Sequence, residues 1–242
     1  MDKQIVQGLT QYIEEFVLPE RAERLREVLA NRTRHVTVVV EDLYQTQNIS
    51  AVLRSCECYG IQDVHVIENE NEFQVHSAIA MGSDKWLTLH NYKNGEHNTR
   101  DCISQLKAAG YTVVATLPNN DSLYINELPV EDKTAFLFGT ELTGLSEEAI
   151  QLCDKTVKIP MYGFTESFNI SNSAAIILSA FVERLRKSAT DWHLSEKEYD
   201  EIYLEWLCKS VRSADFLVSK YMKDNNLIKN TENISNDLTN SK

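Results

Sequence analysis

Ile159-Pro160-Met161-Tyr162-Gly163-Phe164-Thr165-Glu166-Ser167-Phe168-Asn169-Ile170-Ser171-Asn172-Ser173 joins a strand-like run, Val157 to Ile159, to an apolar helix. Pro160 has no N–H to give to a sheet ladder and ends the strand. A polar, irregular loop follows, and Ser171 or Asn172 marks the helix start. From Ala174 the apolar residues Ala174, Ile177, Leu178, Phe181 and Leu185 recur at helical spacing, which makes one buried helix face. Irregular backbone between a buried strand and a buried helix is where binding and catalytic groups gather, because its unpaired polar groups need partners.

Outward from this stretch the same alternation repeats. His35 to Glu41, centred on Val36-Thr37-Val38-Val39-Val40, reads as a buried strand, and Asn48 as the N-cap of a helix running to Tyr59 and ended by Gly60. Asp63 to Glu68 is the next strand and Trp86 to Leu89 a short one. A helix over 99–109 is closed by Gly110, and strands follow at Thr112–Thr116 and Ala135–Phe138. Ser146 caps a helix to Cys153, with Glu147 and Glu148 at its positive end. Strands alternating with helices predict an α/β fold, a mostly parallel sheet with helices on both faces.

Both ends read as helical additions. Residues 4–18 form an amphipathic helix with Ile5, Leu9, Ile13, Phe16 and Val17 inward, and Pro19 opens a second. Ser195 with Glu198 is a capping box, stapled by Leu194 and Tyr199, before a helix with Ile202, Tyr203 and Trp206. A further helix carries Phe216, Leu217 and Tyr221. The predicted divisions are N-terminal helices over 1–31, the sheet domain over 32–190, a helical extension over 191–224 and a disordered Asn-rich tail over 225–242.

Composition narrows the function classes. Of 242 residues, 43% are hydrophobic and 25% charged, as in an ordinary soluble domain. No run approaches the ~20 apolar residues of a membrane span, and Met1-Asp2-Lys3-Gln4 lacks a secretory layout, so a cytoplasmic location is expected. Five scattered cysteines, with Cys56 and Cys58 too close for a zinc knuckle, read as free thiols, and no metal is expected. A net charge of −12 argues against a general nucleic-acid coat protein but leaves room for a local basic patch. Arg21, Arg24, Arg26, Arg32 and Arg34 cluster near the N-terminus; alone, they read first as a solvated helix face and only second as such a patch.

Two further segments sit where α/β proteins bind ligands. Gly139-Thr140-Glu141-Leu142-Thr143-Gly144 follows a strand and precedes a helix, but it has neither dinucleotide nor phosphate-loop spacing and could be a plain turn. Arg54, in the segment Asn48-Ile49-Ser50-Ala51-Val52-Leu53-Arg54, is either paired internally or turned towards a ligand such as phosphate.

Taken together and in order, these segments resemble the SPOUT superfamily of trefoil-knotted RNA methyltransferases, most closely the bacterial tRNA (guanosine-18) 2′-O-methyltransferases. The first family motif, Asn-x-x-Ala-x-x-Arg and a later glycine, is met by Asn48, Ala51, Arg54 and Gly60. The second is met by Leu137 through Ser146, and the third by Ile159-Pro160-Met161 through Ser171. The likeness spans roughly residues 20–210.

The resemblance implies a C-terminal deep trefoil knot and a bent S-adenosylmethionine held by Thr116, Gly139, Glu141, Ile159, Met161 and Phe168. It also implies a catalytic Arg54, helped by Asn48, Glu141, Ser167 and Asn169. A homodimer through the knot is implied too, as is a tRNA substrate gripped by Arg21, Arg24, Arg32 and Arg34 and by the C-terminal helices. Ribosomal RNA, another tRNA ribose, or RNA binding without catalysis are the alternatives; the absence of a separate ribosomal-RNA-binding domain before residue 30 weakly favours tRNA. Glu166, Phe168 and Asn172 depart from the family's usual residues, and Glu166 adds negative charge beside the loop.

Overall fold

Alternate residues of the first strand sort the core into two layers. In the computed structural model, which describes residues 2–227, β1 (Val36–Glu41) sends Val36, Val38 and Val40 to one face of the sheet and Val39 to the other. β6 (Thr134–Phe138) pairs with β1 and repeats the pattern, with Phe136 and Phe138 on the first face and Ala135 and Leu137 on the second. α3 (Thr46–Cys58) and α7 (Ile170–Lys187) cover the first face. α5 (Asn98–Ala108) and α6 (Glu147–Leu152) cover the second. Phe136 meets Phe181 of α7 edge-on at 5.1 Å; truncating such a buried ring costs about 3–5 kcal/mol.

The sheet has seven strands. β2 (Asp63–Ile67), β3 (Thr88–Tyr92), β4 (Thr112–Thr116), β5 (Leu123–Tyr124) and β7 (Lys155–Lys158) complete the order β3-β2-β1-β6-β4-β7-β5. Every pairing among these strands is parallel. All strands therefore end at one edge, where their following loops gather.

Several boundaries differ from the sequence reading. Asn48 does not cap α3: the helix begins at Thr46, and Asn48 sits buried inside its first turns. Asn169, rather than Ser171 or Asn172, caps α7, its Oδ1 accepting from Ser171 N at 2.9 Å. Residues Ser83–Trp86 form a 3₁₀ turn entered through left-handed Met81 and Gly82, and the neighbouring strand runs from Thr88 because Thr88 N reaches Gln62 O at 2.9 Å. α4 (Ser77–Ala80) precedes that turn. α1 (Lys3–Glu14) stops before Phe16, which is 50% exposed rather than inward.

The chain divides into two compact units by internal contact: Thr33–Trp192, which holds the sheet, and the two chain ends, up to Arg32 and from His193. In the second unit α1 and α2 (Pro19–Leu29) pack with α8 (Glu196–Ser210) and α9 (Ala214–Asp224). Tyr203 donates to Glu14 at 3.2 Å, Arg26 also binds Glu14, and Tyr12 lies against Tyr221 at 5.3 Å. The capping box holds, with Ser195 N donating to Glu198 at 2.9 Å. The tail expected over 225–242 lies, beyond residue 227, outside the described residues.

Candidate active site

β6, β4 and β7 are neighbours in the sheet, and the loops leaving their C-terminal ends close a cavity of about 500 Å³. That is the size of a small-molecule site. The loop after β4 contributes Thr116, Leu117 and Pro118, with Thr116 Oγ1 donating to Leu137 O at 2.8 Å. The loop after β7 contributes Ile159, Met161, Ser167 and Phe168, so the apolar wall comes from the stretch that ends the last strand.

The loop after β6 is the tightest of the three. Thr140 and Gly144 exchange backbone hydrogen bonds of 2.9 and 3.1 Å, and Thr140 Oγ1 lies 2.7 Å from Thr143 Oγ1. Gly144 takes φ +72°, which favours glycine. A Cβ on Gly139 would run into the Gly144 carbonyl and Leu145 N. Both glycines are therefore conditions of this loop's shape.

Three polar side chains from distant parts of the chain meet at one side of the cavity. Asn48 donates through Nδ2 to Glu141 Oε1 and, at 2.9 Å, to Gln45 Oε1. Asn169 Nδ2 donates to Asn48 Oδ1 at 3.1 Å. Glu141 and Asn169 line the cavity; Asn48 stands behind them on α3. The second carboxylate oxygen of Glu141 is buried with no hydrogen-bond partner among the described residues, an acceptor left for a ligand's donor or positive charge.

Arg54 is not brought to the cavity within this chain. It lies six residues beyond Asn48 on α3, about 240° further round the helix, and is exposed with no hydrogen bond or ion pair among the described residues. The six residues the resemblance assigns to cofactor binding, Thr116, Gly139, Glu141, Ile159, Met161 and Phe168, all line the cavity, as do Ser167 and Asn169.

The SpoU rRNA Methylase family matches residues 35–179, from the first strand to the middle of α7. This protein belongs to the SpoU methylase family. It is 41% identical over 205 residues to the tRNA (guanosine(18)-2′-O)-methyltransferase of Borreliella burgdorferi, covering 85% of this chain and 92% of that one. The Thermus thermophilus enzyme of the same name is 34% identical over 191 residues, 78% of this chain and 96% of that one. Among solved structures, the A. aeolicus TrmH/SpoU tRNA modifying enzyme superposes with a TM-score of 0.71 at 29% identity, over 80% of this chain and 98% of that one. AviRb of Streptomyces viridochromogenes, a SpoU methyltransferase solved with the cofactor AdoMet, gives 0.57 at 25% identity, over 67% and 65%.

The arginines expected to face RNA in this SpoU protein separate into two groups. Arg21 and Arg24 are exposed on α2, with Arg24 3.1 Å from Glu27. Arg32 is only 1% exposed and lies over the Trp206 ring at 5.1 Å, so its assignment to an RNA-facing surface is corrected: it is a packing residue. Arg34 is committed to Asp63, Nε to Oδ2 at 2.8 Å. Burial pushes the Asp63 carboxyl up, but the His90 hydrogen bond and the Arg34 charge outweigh it and leave it below its ordinary value. Both arginines looked free in sequence because their partners lie 29 or more positions away.

Sequence reasoning also missed Glu41, 2% exposed at the end of β1, which accepts hydrogen bonds from Ser146 and Thr99. An acid closing an otherwise apolar strand was its one visible signal. Among the described residues no group of His, Cys, Asp or Glu is placed to hold a metal ion, and no helix is long and apolar enough to cross a membrane.

Proposed function

We propose that this protein transfers a methyl group from S-adenosylmethionine to the ribose 2′-oxygen of guanosine 18 in tRNA. The observation that carries the reading is the cavity at the ends of β6, β4 and β7, walled by the second and third motif segments and the loop after β4, with Asn48 of the first motif behind it. Its unsatisfied Glu141 oxygen and its glycine-tight loop suit a ligand that is part apolar ring and part charged amino acid. When bound there, S-adenosylmethionine supplies a methyl group activated by its positive sulfur. The relatives' names carry the tRNA position, and the family match, residues 35–179, takes in every residue that lines the cavity.

The chain's own residues bind and orient. Gly139 and Gly144 let backbone approach the ligand, while Ile159, Met161 and Phe168 exclude water around it. Asn48, itself held by Asn169, fixes Glu141 from behind. Arg54 would orient the target ribose and its phosphate and stabilise negative charge on the 2′-oxygen as the hydroxyl proton passes to a substrate phosphate oxygen or water. A guanidinium titrates too high to act as a simple base at neutral pH. Exposed Arg21 and Arg24, with the C-terminal helices, hold the RNA.

A homodimer belongs to this reading, because exposed Arg54 is not among its own chain's cavity-lining residues. Beside that cavity Leu142, Tyr162 and Phe164 are 83%, 97% and 107% exposed, an apolar group suited to burial against a second copy. So does the trefoil knot: β6 enters between β1 and β4, and β7 between β4 and β5, so both late strands thread between earlier ones. A cytoplasmic site of action follows from a tRNA substrate.

Labelled-methyl transfer to unmodified tRNA tests the activity. Incorporation that depends on both tRNA and S-adenosylmethionine is expected; tight tRNA binding with no incorporation would sink it. Light scattering should give twice the 27.7 kDa chain mass, and the single-chain mass at micromolar concentration would remove the dimer.

A further inference from the structure

We infer that Glu41 is a positioning residue that sets where the cofactor loop after β6 sits on the sheet, acting through Ser146; the inference rests on the reading of the cavity given above. Glu41 ends β1 and is buried, 2% exposed. Its Oε1 accepts from Thr99 Oγ1 at 2.7 Å and from Ser146 Oγ at 2.8 Å, and its Oε2 accepts from Ser146 N at 2.9 Å. All three partners are neutral donors, and no cation pairs with Glu41 among the described residues. A carboxylate buried without a counter-charge is costly unless its oxygens are filled by hydrogen bonds, so the site is built around these three.

The two hydroxyls have little freedom to reorganise. Ser146 Oγ already accepts from Ala149 N at 3.1 Å, and Thr99 Oγ1 already accepts from Asn69 Nδ2 at 3.0 Å. Each therefore has its proton to give and needs an acceptor. A glutamine at 41 has one acceptor oxygen where two are used. In one orientation its amide N–H faces the Ser146 N–H; in the other it faces hydroxyls that already accept.

Ser146 is the far end of the loop whose Gly139, Thr140, Glu141, Gly144 and Leu145 line the cavity. The Thr140–Gly144 bridge makes the loop stiff within itself. What remains to be fixed is where that stiff loop sits on the sheet, and the double hydrogen bond from Ser146 to Glu41 fixes it. Releasing it leaves β6 and the apolar core in place but lets the loop drift against the ligand. A role confined to holding the fold together would lower stability and leave cofactor affinity alone.

The test is calorimetric binding of S-adenosylmethionine to the full chain and to Glu41→Gln, with steady-state kinetics alongside. Glu41→Gln is expected to weaken the cofactor Kd and raise its KM about ten-fold, as for a displaced positioning element, with the tRNA KM within two-fold. Ser146→Ala should give the same pattern, Ser146→Thr should restore the wild-type Kd, and the double variant should be no worse than the weaker single. A folded Glu41→Gln enzyme whose cofactor Kd stays within two-fold of wild type overturns the inference. Should that variant fail to fold, the contrast between Ser146→Ala and Ser146→Thr decides with the same readouts. Wild-type protein that binds no S-adenosylmethionine would instead overturn the proposed function.

Discussion

Asn169 Nδ2 donates to Asn48 Oδ1 at 3.1 Å, so the cap of α7 and the first turns of α3 are tied together across 121 positions of sequence. The same Asn169 accepts from Ser171 N at 2.9 Å and from Ser171 Oγ at 2.6 Å through its oxygen. One side chain thus starts a buried helix with its acceptor and holds the Asn48–Glu141 contact with its donor.

The two roles separate in Asn169→Asp. Aspartate keeps the capping oxygen and loses the donor, so stability should stay within ~0.5 kcal/mol by urea melts. Methyl transfer should nonetheless fall at least ten-fold, because two oxygens now face each other at Asn48. Asn169→Ala loses both and should also cost ~1 kcal/mol of stability. Equal loss of stability in the two variants would show that the cap was misread.

Arg54 is exposed and makes no hydrogen bond or ion pair among the described residues, so Arg54→Ala should leave stability within ~0.5 kcal/mol. Turnover should drop by about 10²–10³, the scale for losing one preorganised charge contact. Arg54→Lys should recover little, since an ammonium lacks the planar fork. An unchanged rate in folded Arg54→Ala would remove the catalytic assignment.

A methyl group at position 139 must displace the Gly144 carbonyl or Leu145 N. Gly139→Ala should therefore abolish detectable cofactor binding by calorimetry while far-ultraviolet dichroism stays native. Retained affinity would mean that this loop does not form the ligand wall.

The sheet edge at β2 and β3 predicts an acid response. Burial and the neighbouring His90 hold the His65 imidazole down at about 4, below its model-peptide value of 6.5, with Asp63 opposing. Its ring stacks on His90 at 4.5 Å. An unfolded chain takes up this proton near pH 6.5 and the folded one only near pH 4, so stability is full above 6.5 and falls as pH drops between those values. The loss is on the order of 3 kcal/mol. His65→Phe should flatten the urea-stability profile over that window; an unchanged slope would contradict the assignment.

How much of this was legible in the chain depends on the range of each signal. The near-continuous apolar run Val36 to Val40 and the helical spacing from Ala174 to Leu185 report burial directly, and the sheet with its covering helices follows from them. Most cavity-lining residues were legible because they lie in two continuous motif segments, Leu137 to Ser146 and Ile159 to Ser171. Asn48 was misread as a cap because asparagine carries the same local signal there as at a true helix start, and its partners Glu141 and Asn169 lie far along the chain. Two-residue β5 has too few side chains to show a period. Arg32 and Glu41 take their meaning from Trp206 and Ser146, which no local pattern connects to them.

The central claim is that the cavity at the ends of β6, β4 and β7 serves ribose methylation at one tRNA position. Mass-spectrometric mapping of unmodified tRNA after reaction with the purified protein and S-adenosylmethionine tests it most directly. The account predicts a single added methyl group on the 2′-oxygen of guanosine 18, absent with Arg54→Ala. A methyl group on a base, on another ribose, or on no tRNA nucleotide at all would contradict it.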